Sequence, residues 1–188
     1  AIGNANEIQE SIAVLRGEGP DDVTELTIRF AIEMLMLAGE SDPIMAQDKV
    51  RNALESGTAF ETMVSLTEAQ GGDPSYIEHP ERLEIAPYEH VIQAPRDGWV
   101  SSCDAFAIGT AGVRLGAGRA TKEDEVDPGV GFSIKAKIGD AVAKGDPLAI
   151  IAYRDRTKLE NALATADDAW SISETPTAPP NLVLETLR

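Results

Sequence analysis

A single cysteine among 188 residues leaves no partner for an internal disulfide, so Cys103 cannot staple the fold and the thiol count suits a reducing compartment. Only two histidines occur, His79 and His90, and neither has a second ligand at metal spacing, which argues against a zinc centre. Nucleophile elbow, Walker loop and cysteine-pair motifs are all missing. No apolar run reaches bilayer length and no signal-peptide pattern appears, so the expected location is the cytoplasm, with no membrane partner. Basic residues are scarce as well: 16 Lys and Arg face 32 Asp and Glu, a net charge of −16. Without a local basic patch, nucleic acid and anionic membrane are poor partners. The acidity is uneven, −10 over residues 1–75 and −6 over the rest.

What is present describes a globular protein. Hydrophobic residues make up 43%, and the length suffices for one ordinary domain or two small ones. Residues 1–75 read as four helices. Asn4 with Glu7 resembles a capping box, after which Ile8, Ile12 and Leu15 mark one face until Gly17. Asp22 with Glu25 opens a second helix whose stripe is Leu26, Phe30, Met34 and Leu37. Ser41-Asp42-Pro43 caps a third, with Val50 and Leu54 facing inward until Gly57. Phe60, Met63, Val64 and Leu66 carry a fourth to Gly71-Gly72-Asp73-Pro74.

From residue 76 the texture changes, with a Pro- and Glu-rich connector over 75–88. Short strands are expected over 89–94 and 99–103 around the Pro95-Arg96-Asp97-Gly98 turn. Asp104 caps a helix through Leu115, and its Gly109 and Gly112 suggest a crowded backbone contact. Beyond Val130, Gly139-Asp140 and Gly145-Asp146 form paired turns around a short strand. A strand over 149–153, a helix from Thr157 to Asp168, a strand over 170–173 and an extended tail complete the chain. The fold class is α+β: a helical segment over 1–75, then an α+β domain over 76–188 with hairpins like those of biotinyl and lipoyl carrier barrels.

The candidate sites each have a bland reading. Cys103, following Trp99 and Val100, reads as a small buried hydrophobe. The loop Leu115-Gly116-Ala117-Gly118-Arg119 offers glycine amides and a guanidinium to an anion. Yet Glu123, Asp124, Glu125 and Asp127 follow at once, which favours a structural turn. A carrier domain needs a lysine on an exposed hairpin tip, and Lys122, the nearest by position, lacks the usual flanking residues. Glu10, grouped with Glu7 and Val14 opposite Ile8 and Ile12, reads from pattern alone as a solvated carboxylate.

Five blocks in order resemble the pyrimidine-nucleoside phosphorylases, the family that includes bacterial thymidine phosphorylase. They are Gly3-Asn4-Ala5 with Glu7 and Glu10; Leu15-x-Gly17-x-Gly19-Pro20; Trp99 to Ala111; Leu115 to Arg119 with Asp124 and Asp127; and Val130-Gly131 through Gly139-Asp140 and Gly145. The resemblance implies a pentosyltransferase that converts a pyrimidine nucleoside and phosphate into free base and pentose 1-phosphate, working as a homodimer. It implies that the phosphate loop and the base-holding Arg, Ser and Lys precede the Gly-Asn-Ala block. The chain would then be a C-terminal part, inactive by itself and without catalytic or substrate-binding residues of its own. The family's potassium ion maps onto the Ala1 carbonyl and the Glu10 carboxylate, hence at most part of a site. A carrier module and a non-catalytic interaction domain are the alternative readings.

Overall fold

The computed structural model describes residues 1–166 and 168–187, which divide into two units. The first comprises 1–7 and 84–180; the second comprises 8–83 and the tail from Asn181.

The second unit is helical. Most of α1 (Ala5–Leu15) belongs to it, followed by α2 (Asp21–Leu37), α3 (Pro43–Glu55), α4 (Thr58–Ala69) and the short α5 (Ser75–Glu78). The α3 entrance follows its sequence: Asp42 Oδ1 accepts from Ile44 N at 2.8 Å, and Pro43 supplies a helical φ where no amide is needed. Arg16, just past α1, lies 4.7 Å over the Phe60 ring and donates to the Glu78 carbonyl at 2.7 Å, tying three helices together.

The expected stripes are only partly buried. On α2, Phe30, Met34 and Leu37 are 58%, 68% and 89% exposed, and no α2 residue is fully buried. On α1, Ile12 and Val14 are buried while Ile8 is exposed, so Val14 does not share a solvent face as its spacing suggested. Within the connector, α5 and a 3₁₀ turn over Pro80–Arg82 occupy the first half.

The first unit is α+β. Strands β1 (Tyr88–Gln93), β5 (Pro147–Tyr153) and β3 (Gly131–Ile134) form one antiparallel sheet in the order β1-β5-β3. A second sheet, β4-β2-β6, is built from β4 (Ala141–Val142), β2 (Gly98–Cys103) and β6 (Trp170–Ser173). Trp99 is paired with Ser173, and Cys103 with Trp170. The paired Gly-Asp turns form as expected: Gly139 and Gly145 have φ of 102° and 94°, and Asp140 and Asp146 accept from Lys137 N and Ala143 N at 2.8 Å. The hairpins serve two separate sheets rather than a closed barrel.

Helices α6 (Ala105–Leu115) and α7 (Arg156–Ala166) share a core with β3 and β5 through Ile108, Phe132, Ile151 and Leu159. Asp104 caps α6, accepting from Phe106 N and Ala107 N at 2.9 and 3.0 Å, and Gly116 ends it with φ 108°. Small residues do crowd here, but they are Ala111, Ala162 and Ala166. A Cβ at Gly109 would meet open space, and one at Gly112 would make only an ordinary contact with Ile2, so the glycines are not the cause. The expected end of α7 runs across Asp167, which lies outside the described residues; the helix is seen to Ala166.

Two substitutions test this account by urea denaturation. Phe132→Ala, emptying a fully buried position, should lower stability by about 3–5 kcal/mol. Asp104→Ala, removing the α6 cap, should cost about 0.5–2 kcal/mol.

Candidate functional site

The segment that precedes α1 is laid along the edge of β3. Ile2 N–H donates to the Phe132 carbonyl at 2.8 Å, and Phe132 N–H returns the bond at 2.7 Å, an isolated antiparallel bridge. Ala5 N–H adds a bond to the Pro128 carbonyl at 3.0 Å. The approach is close enough to dictate two residues. A Cβ on Gly131 would stand 2.6 Å from the Ile2 oxygen, and one on Gly3 would stand 2.9 Å from the Val130 oxygen. Only glycine fits at either place.

The two asparagines complete the attachment. Asn4 Nδ2 donates to the Ala117 carbonyl at 2.8 Å, and Asn6 Nδ2 donates to the Phe132 and Ile2 carbonyls at 3.0 and 3.2 Å. The capping box is therefore rearranged. Glu7 reaches back to Gly3 N–H at 2.7 Å, while the Asn4 amide serves the loop after α6 instead of the helix end. Spacing alone pointed to Asn4 and Glu7; it held no signal for Asn6 or for the Ala117 partner.

The glycine-rich loop is closed on itself. Ala117 N–H bonds the Gly112 carbonyl and Asp127 N–H the Gly116 carbonyl, each at 2.9 Å. Asp124 accepts from Ala120 N at 2.9 Å, Thr121 N at 2.8 Å and Thr121 Oγ1 at 2.9 Å. The amides of Ala120 and Thr121, just past the loop, thus already face a carboxylate, and those of Gly116 and Ala117 are taken up by carbonyls of α6. The hydrogen bonds from Thr121 hold the Asp124 carboxyl below the ordinary aspartate range. Arg119 and Lys122 are exposed. Lys122 sits between α6 and β3, not on a tip joining two strands, which removes the placement a carrier lysine requires. Farther along, Asp127 accepts from Gly129 N at 2.9 Å and from Arg154 Nε at 3.0 Å, and Arg154 Nη2 bonds Glu84 at 2.6 Å. Sequence reasoning missed Arg154, whose partners lie 27 and 70 residues away.

The remaining candidates are placed as follows. Cys103 is half-buried, with its thiol pushed up first by burial and then by the neighbouring Asp104 charge. His79 lies 3.4 Å from Glu81, and His90 is on β1. Among the described residues, no three His, Cys, Asp or Glu side chains gather as a metal site. Ala1 and Glu10 are both half-buried and belong to different units. A carbonyl and a carboxylate are hard oxygen donors that suit a hard cation, though two donors do not complete a coordination shell.

Known proteins share this sequence in part. Residues 99–173 match the family model of the pyrimidine nucleoside phosphorylase C-terminal domain. The pyrimidine-nucleoside phosphorylase of Geobacillus stearothermophilus is 39% identical over all 188 residues, which cover 43% of that relative. Along its whole length the chain is similar to part of a pyrimidine-nucleoside phosphorylase. The Bacillus subtilis phosphorylase is likewise 39% identical, over 95% of the chain and 41% of its own length. A Staphylococcus aureus phosphorylase is 38% identical over the same shares. The chain thus spans about two fifths of the length of these phosphorylases. Among the described residues, no helix is long and apolar enough to cross a membrane.

Cys103 should react with an aromatic disulfide reagent at pH 8 more slowly than glutathione does, and at the glutathione rate once unfolded in guanidinium. Equal rates in the folded state would contradict the raised thiol. A second check uses acid titration by NMR. Because the folded Asp124 value is depressed, its contribution is present above the unfolded aspartate value and is lost as pH falls through the folded one. Protection of the Ala120 and Thr121 amides should persist below the ordinary aspartate range and vanish only at lower pH. In Asp124→Asn it should be weak at every pH.

Proposed function

We propose that this chain is the C-terminal part of a pentosyltransferase that splits a pyrimidine nucleoside with phosphate, giving free base and pentose 1-phosphate. The identity to pyrimidine-nucleoside phosphorylases, 39% sustained over the whole chain, supports this reading. Phosphorolysis requires phosphate to be held against the anomeric carbon while negative charge develops on the departing base. Positioning and electrostatic stabilisation of that charge supply the rate. The groups that grip phosphate and base belong, in this reading, to the portion of the relatives that the chain does not span, and the working enzyme is a cytoplasmic homodimer.

This chain's own part is to hold the Gly-Asn-Ala segment. The Ala1 carbonyl stands one residue before the Ile2 bridge, so β3 and the asparagine contacts fix the backbone that presents it. In the longer enzyme we assign the Ala1 carbonyl and the Glu10 carboxylate as two oxygen ligands of a potassium ion, which would supply positive charge when bound. Glu10 adds a full negative charge to that ligand set, and the Ala1 carbonyl a directed dipole.

The purified 188-residue chain should release no base from uridine or thymidine with phosphate above background, read by ultraviolet absorbance. Measurable turnover would show that the active groups lie within it. In the longer enzyme, KCl should raise the thermal midpoint more than NaCl does, through preferential binding to the folded state. Glu10→Gln should abolish that difference, and its survival would remove Glu10 from the ligand set.

A further inference from the structure

Helix α2 is apolar on two opposite sides. After the Asp21-Asp22 entrance it carries Ile28, Phe30, Ile32 and the run Met34 to Leu37, and none of its residues is fully buried. One side is engaged: Ile28, Arg29 and Ile32 line a groove together with Gln47 and Arg51 of α3, where Val183 of the tail also lies. At 3.6 residues per turn, Phe30, Met34 and Leu37 fall within a sector of about 60° on the opposite side. Their exposures of 58%, 68% and 89% make one contiguous face, not scattered single side chains. Apart from the charged row Glu25, Arg29 and Glu33, the apolar residues extend to two opposite sides, a pattern suited to packing on both.

We propose that the Phe30–Met34–Leu37 face of α2 is a docking surface for the polypeptide that the phosphorylase relatives carry beyond the stretch matched here, so that α2 becomes an interior helix of the longer enzyme. This rests on the functional reading above. The first ground is length: the chain covers 41–43% of those relatives, so more than half of each lies outside the match and is long enough to supply a packing layer. The second is charge. A second copy of this chain would bring the same acidic helical segment, −10 over residues 1–75, against itself, with Glu33 on α2 beside the contact.

The test begins with the 188-residue chain and a Phe30→Ser, Met34→Ser, Leu37→Ser variant. The chain should sediment as a monomer and enhance the emission of an apolar-site dye. The variant should lose most of that enhancement with its helical circular dichroism unchanged, since these side chains already face water. The portion of the Geobacillus stearothermophilus enzyme outside the matched stretch, expressed separately, is the docking probe. It should form a one-to-one complex with the chain that weakens at least tenfold in the variant. A stable self-dimer broken by the substitutions would name the second copy as occupant and overturn the proposal. So would a folded probe that fails to bind or that binds the variant equally well. Unchanged dye emission overturns it too, and that readout does not depend on the probe's folding. A face-dependent complex without phosphorolysis would count against the functional reading while leaving the docking surface intact.

Discussion

Two backbone hydrogen bonds between Ile2 and Phe132 make the first residues of the chain part of a sheet more than a hundred positions away. Each such bond contributes only about 0.5–1.5 kcal/mol net. The bridge persists because its surroundings leave little alternative: Gly3 and Gly131 permit the close approach, and Asn4 and Asn6 satisfy three neighbouring carbonyls. Everything said of the Gly-Asn-Ala segment depends on this attachment. Without it the motif would be a helix entrance and nothing more.

The self-sufficiency of the glycine-rich loop follows from the same economy. A strongly acidic chain places carboxylates wherever spare amides occur, so Asp124, Asp127, Asp140 and Asp146 each take up backbone donors of their own turn. Such turns gain rigidity from charge-assisted hydrogen bonds and lose their capacity to attract an external anion. Arg154 is drawn into this pattern, dividing its guanidinium between Asp127 and Glu84.

Local chemistry was legible in the sequence wherever a cap or turn is written in adjacent residues. Asp104 with Gly116 delimits α6, Asp42-Pro43 opens α3, and the Gly-Asp pairs set the hairpins. Faces were less legible. The spacing on α2 identifies an apolar stripe correctly, but a helix with apolar residues on two opposite sides does not declare which side meets α3. On α1 the same ambiguity put Val14 on the wrong side. Partners distant in sequence, such as Asn4 with Ala117 and Arg154 with Glu84, leave no local trace. The likeness to pyrimidine-nucleoside phosphorylases was legible because five motif blocks stand in order across the chain, whereas the ligand roles of Ala1 and Glu10 come from that resemblance alone.

Both tryptophans, Trp99 and Trp170, lie on strands of the sheet β4-β2-β6, inside the unit that contains residues 84–180. Emission excited selectively in the indole band therefore reports on that unit and is blind to the helical one. Far-ultraviolet ellipticity, by contrast, is weighted towards the helices of α1 to α4. The chain carries a built-in pair of independent spectroscopic channels, and any gap between their melting curves measures how far its halves unfold as one cooperative system.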